Sequence, residues 1–264
     1  MKMKKALFLY IFLSGIILSG CVTLDLRQAN HELANLYRVK SEAVNSKNWE
    51  QEVTVNGALS VLADQAAKEC SDKTISQINR ISFCRIAATA AWQAGSANVV
   101  NYADAGMSLC DKNDNFSKVP RDCGMLLVIP NLASADELTE RYNELNERIT
   151  EGSNPPTNEE VAELFKDTKS RIDSLLNNRN TIIQSNAHPK LIESLDKYIG
   201  TLLCRNLQDT LGLIVQYEAV GSDAHKKAQC DDYKLKVRLK KLQFSQPFAP
   251  CLPSGVPRKP SGCQ

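Results

Sequence analysis

The chain has 264 residues, with 32 lysines and arginines against 30 aspartates and glutamates, a formal charge of +2 at pH 7. Such a balance gives no global electrostatic case for a nucleic-acid partner. The length suits one large domain or two small ones. The chain opens with Lys2, Lys4 and Lys5, followed by an apolar run from Ala6 to Leu18. A basic start and a short apolar stretch mark a secretory signal peptide over residues 1–20. The run is too short to read as a transmembrane helix.

The end of that run, Leu18-Ser19-Gly20-Cys21, resembles the lipobox of bacterial lipoproteins. The resemblance covers only about the first twenty residues. It implies that Cys21 is acylated on sulfur, by palmitate or a similar chain, and that the chain is cut before it. The new N-terminus would be acylated as well, and several acyl chains on one residue give stable anchoring. In Gram-negative lipoproteins aspartate after the cysteine favours inner-membrane retention. Val22 stands there, which points to the outer membrane. Removing Lys2, Lys4 and Lys5 from the 32 basic residues leaves 29 against 30 acidic, so the positive charge belongs to the leader.

Eight cysteines remain: Cys70, Cys84, Cys110 and Cys123, then Cys204, Cys230, Cys251 and Cys263. An even set in an exported protein reads as disulfides. No two lie close enough for a CxxC knuckle, so no metal site is expected. Pairing within each set of four is expected. The depth of Cys84 in its helix disfavours a Cys70–Cys84 bridge.

In chain order, the first helical stripe runs from Leu26 through Ala29, Leu33, Leu36 and Tyr37 to Val44. The second uses Val55, Leu59, Leu62 and Ala66 and ends near Cys70. Thr74-Ile75-Ser76-Gln77 has a capping-box pattern and opens a helix that stops at Gly95. A fourth helix covers 97–110. Residues 75–110 resemble a tetratricopeptide hairpin at Ala88, Ala91 and Gly95. They depart from it at Val100 and Asp104, and no second copy follows at a fixed period. After a polar loop over 111–122, "GMLLVIP" is apolar enough for a strand, with helix left open. Ser134-Ala135-Asp136-Glu137 reads as another capping box, opening a charged helix to about Thr150.

"EGSNPPTNEE" cannot continue a helix, so residues 151–158 are expected to link two helical subregions, 21–150 and 159–244. Thr157 to Glu160 forms a third capping box. A long stripe follows: Val161, Leu164, Phe165, Thr168, Ile172, Leu175 and Ile182. Pro189 fits the first turn of a helix to about Tyr217, and a last element starts near Ser222. Residues 245–264 form a proline-rich arm with two cysteines. At least one of Cys251 and Cys263 is expected to bond to Cys204 or Cys230, since a direct Cys204–Cys230 bridge is offset along the helices. The fold class expected is therefore all-α: antiparallel helix pairs in two subregions, disulfide-stapled, with a C-terminal arm.

Little in this sequence carries chemistry. His31 sits in "HELAN", which lacks the second histidine of HExxH. His188 precedes Pro189, and His225 is expected at a surface beside Lys226 and Lys227. No P-loop, GxSxG or GxGxxG occurs. Glu159 and Glu160 suit a helix start. The most unusual stretch is "YKLKVRLKKLQF", where Lys234, Lys236, Arg238, Lys240 and Lys241 alternate with apolar residues. Its neighbours favour helix over strand. It offers a contact for an anionic surface, against the plainer reading of a solvated face. The expected function is a lipid-anchored, periplasm-facing scaffold or binding lipoprotein of the outer membrane. It would bind an envelope protein or small ligand and need no cofactor or nucleic acid. The alternatives are an enzyme whose site assembles from distant residues and a purely structural lipoprotein.

Overall fold

The computed structural model describes residues 24–112, 114–152, 154, 156–184, 192–193, 196, 199, 222–240 and 258–263. These residues contain no strand. Their helices are α1 (Leu26–Asn45), α2 (Trp49–Ser71), α3 (Gln77–Gln93), α4 (Val99–Cys110), α5 (Asn115–Lys118), α6 (Pro120–Glu151), α7 (Asn158–Gln184) and α8 (Asp223–Lys240). The all-α expectation holds. Cys21, Cys204, Cys251, Lys241, His188 and the expected helix from Pro189 lie outside the described residues, apart from helical positions 192, 193, 196 and 199.

Most helix ends follow from local chemistry. Asp25 caps α1 by accepting from the Gln28 N–H, and Asn48 caps α2 by accepting from the Gln51 N–H. Ser76, not Thr74, caps α3 through the Asn79 N–H. Thr74 is instead held by Asp72, whose Oδ1 accepts from its backbone N–H and its hydroxyl, both at 2.8 Å. The Thr157–Glu160 box forms as expected: Glu160 accepts from the Thr157 N–H at 2.7 Å, and Thr157 Oγ1 accepts from the Glu160 N–H at 3.2 Å. Ser222 likewise caps α8 through the His225 N–H. α3 ends in a left-handed turn at Gly95 (φ +69°), where Ser96 N–H reaches back to the Ala91 carbonyl. That is the conformation glycine adopts without a Cβ clash.

One open reading of the middle of the chain is resolved and another corrected. "GMLLVIP", left open between strand and helix, is helical, and Ser134-Ala135-Asp136-Glu137 lies inside α6 rather than at a helix start. A cap needs amides with no helical partner. Here the start lies at Pro120, whose fixed φ and missing N–H suit a first helical position. Pro130, inside the same helix, removes one backbone donor.

The chain divides into two compact units at Ile129/Pro130, within α6. The 151–158 stretch, read from sequence as the linker, falls between the end of α6 and the start of α7, within the second unit. In the first unit α3 packs on α1, α2 and α4. Burial runs round most of α3, at Ile81, Phe83, Cys84, Ile86, Ala87, Ala88, Ala90 and Ala91, as expected of a central helix. Its alanines let neighbouring backbones approach. Gly106 of α4 serves the same end: a Cβ there would lie 2.5 Å from a methyl of Leu126 and 2.8 Å from Cys84 Cβ.

Two disulfides staple this unit, Cys70–Cys84 and Cys110–Cys123, with Cα atoms 5.0 and 5.8 Å apart. Both stay within the first four cysteines, as expected. The first corrects the expected disfavour of a Cys70–Cys84 bridge. In the second unit α7 runs antiparallel to the C-terminal part of α6, joined by Arg148–Glu160 and Arg141–Asp167, each 2.9 Å. Leu138, Leu145, Leu164, Ile172, Leu175 and Ile182 are among its buried apolar side chains. Arg179 and Asp196 form an ion pair at 2.5 Å with both side chains under 5% exposed.

Candidate functional site

α7 and α8 run side by side in the same sense. Lys169 lies beside Asp231 at 3.3 Å, and one end of the contact joins Arg238 to Asp173 and Asn177. Between them lies a groove of about 680 Å³, a size that suits a ligand or a peptide. One wall is a face of α7 from Asn158 to Asn177, which spans ~28 Å at 1.5 Å per residue. The other is a turn of α8 with Lys227, Ala228 and Asp231.

The floor is apolar. Val161 and Ala228 are buried, and Phe165 is 6% exposed. These are the edge of the stripe that builds the core of the unit. The rim is polar, with Asn158, Ser170, Ser174 and Asn177 supplied by α7. Among the ionic groups of the groove, Lys169 pairs with Asp231 and Asp173 with Arg238. Lys166 and Lys227 are exposed and pair with no carboxylate among the described residues. Among the described residues, the groove therefore presents an excess of positive charge above an apolar floor.

Cys230, between Lys227 and Asp231 on α8, is bonded to Cys263, with Cα atoms 5.3 Å apart. This is one of the bridges expected from sequence. It returns the end of the C-terminal arm to α8, where Gly262 (φ +85°) makes the turn and Cys263 N–H bonds the Pro260 carbonyl. The staple limits local opening of the α8 turn that forms the second wall.

The basic stretch read from sequence is helical as far as Lys240. Helical spacing scatters its charges: Lys234 and Arg238 share one face while Lys236 points elsewhere. Lys234 is exposed. Lys236 donates to Asp232 at 2.6 Å, both side chains being largely buried. Arg238 is held by Asp173, and Lys240 closes the helix. Two of the five candidate contacts are thus already paired with carboxylates. His225 is a further correction: it is buried, 5% exposed, with Nε2 at 3.2 Å from Gln229 Nε2. His31 lies exposed on α1. Among the described residues no three His, Cys, Asp or Glu side chains converge on a metal-sized site, and no helix is long and apolar enough to cross a membrane.

Sequence reading missed Lys166 and attended to Lys227 only as a neighbour of His225. Lys166 sits one turn along from Ala162 at the margin of the apolar stripe, where a lysine is unremarkable. Only the placement of α8 beside it makes a groove.

The fold and groove define a disulfide-stapled, all-α protein with a polar-rimmed cleft between parallel helices. No protein-family model, curated protein or solved structure matches the chain.

Proposed function

We propose that this protein is a lipid-anchored, periplasm-facing binding lipoprotein of the bacterial outer membrane, and that its α7–α8 groove receives part of another envelope protein. The groove carries the binding half of this reading, because it combines an apolar floor, a hydrogen-bonding rim and two lysines that pair with no carboxylate among the described residues. The anchoring half rests on sequence: the lipobox ending at Cys21 and Val22 behind it. The disulfides are consistent with an oxidising compartment. Within the second unit, the Cys230–Cys263 staple ties down α8, which forms one wall of the groove.

Expression in a Gram-negative host with an alkyne-bearing palmitate tests the anchor. The wild-type chain should take up label and fractionate with outer membrane. Cys21→Ser should be unlabelled and should leave that fraction. A serine variant that is processed and membrane-bound as before overturns the anchor.

A further inference from the structure

We infer that the groove binds an extended, acidic peptide segment, with one carboxylate seated between Lys166 and Lys227. This deepens the binding reading above and rests on it. The register of the two helices brings these lysines together. Lys169 is level with Asp231 and the helices run the same way, so Lys227, one turn before Asp231, is level with Phe165 and Lys166. The two lysines thus line the groove from opposite walls, at the level of Phe165 and Ala228. Neither has a carboxylate partner among the described residues, while Lys169 and Arg238 beside them do. Among the described residues, an anion entering here meets two cations that no carboxylate already holds.

The remaining rim selects among anions. Asn158 offers an amide donor and acceptor, Asn177 an amide donor beside its bond to Arg238, and Ser170 a hydroxyl, along a wall of ~28 Å. A peptide backbone presents N–H and C=O groups that such side chains can satisfy. An acyl chain presents neither and would bury them unpaired, at a free-energy cost. At ~3.3 Å per residue, eight or nine extended residues cover the wall. Alternation along an extended chain places every second side chain on the same side, so small apolar residues facing Phe165 can flank the carboxylate.

The test uses residues 22–264, which lack the acylated Cys21, with the disulfides oxidised. It is applied to arrays of immobilised nine-residue peptides in which glutamate alternates with alanine, valine or leucine, and to the same arrays with glutamine for glutamate. Members of the glutamate series should bind. Their glutamine counterparts, and the Lys166→Gln/Lys227→Gln variant, should each bind about tenfold more weakly, the modest size expected of two exposed ion pairs. Lys68→Gln, on α2 of the first unit, should leave binding unchanged, and circular dichroism should show the same helix content for all variants. Full-strength binding by the double lysine variant overturns the inference, and so does the absence of binding by every glutamate peptide. Phosphatidylglycerol vesicles form the remaining arm. If the double variant loses vesicle binding while no peptide binds, the lysines face a lipid surface and the peptide assignment falls. These measurements are independent of acylation, so they can fail while the Cys21 experiment succeeds, and the converse.

Discussion

Cys70 and Cys84 are bonded although Cys70 closes the last turn of α2 and Cys84 lies two turns into α3, with Cα atoms 5.0 Å apart. The connection over residues 72–76 explains this. Asp72 is extended (ψ 113°) and carries the chain past the end of α2 before α3 begins. α3 then starts beyond the pole, and its second turn passes Cys70, whose carbonyl accepts from Arg80 Nε at 2.8 Å. A staple that closes so short a loop is worth about 3 kcal/mol in the chain-entropy account. Replacing both cysteines by serine should lower unfolding free energy by about that amount in denaturant titrations, with no change in helix content.

Two glycines in helix interiors should respond oppositely to alanine. At Gly106 a Cβ would press on Leu126 and Cys84. Gly106→Ala should therefore cost about 1–3 kcal/mol through overpacking. At Gly57 the added methyl meets nothing within 4 Å. Gly57→Ala should stabilise by about 1 kcal/mol, the difference in helix propensity. Paired thermal melts of the two variants check both signs at once.

Glu160 gives a pH signature. Arg148 hydrogen-bonded to its carboxylate, helped by the Thr157 N–H, holds its pKa down to about 2 from an ordinary 4.5. A depressed carboxyl contributes stability that is fully present above pH 4.5 and is lost as pH falls through about 2. The side chain is 42% exposed, so solvent screens the pair and the effect is small. Stability measured from pH 6 to pH 2 should fall less steeply for Glu160→Gln than for the wild type, with the two curves converging at the acid end.

The buried pair Arg179–Asp196 should behave differently from the surface pairs. With both groups almost fully buried, removing one takes from the other its oppositely charged neighbour in a low-dielectric site. Asp196→Ala should cost about 3–5 kcal/mol, whereas replacing both partners by apolar residues, as in Arg179→Met/Asp196→Leu, should recover most of that loss. A double-mutant cycle in urea measures the coupling. Equal losses in the single and double variants would show that packing, not charge, dominates the site.

By itself the sequence determined the signals that act within a turn or two. The Thr157–Glu160 box was legible because donor and acceptor lie within three residues, and the start of the last helix was legible near Ser222, whose cap the structure adds. The apolar stripe from Val161 to Ile182 was legible because helical periodicity alone places those positions on one face. The even cysteine set and the isolated arm allowed the expectation that Cys263 or Cys251 returns to the second half, and Cys230–Cys263 does so. Tertiary structure decided what local signals leave degenerate. Ser134 to Glu137 carries the residues of a helix start, yet α6 runs through it from Pro120, with Leu132, Leu138 and Tyr142 buried around it. Packing of a long apolar face outweighs a cap worth about 1 kcal/mol. The groove was the least legible feature. Its walls come from helices whose contacts join residues 65 apart in sequence, such as Arg238 and Asp173. Lys166 and Lys227 line one groove only because α7 and α8 lie side by side and run in the same direction.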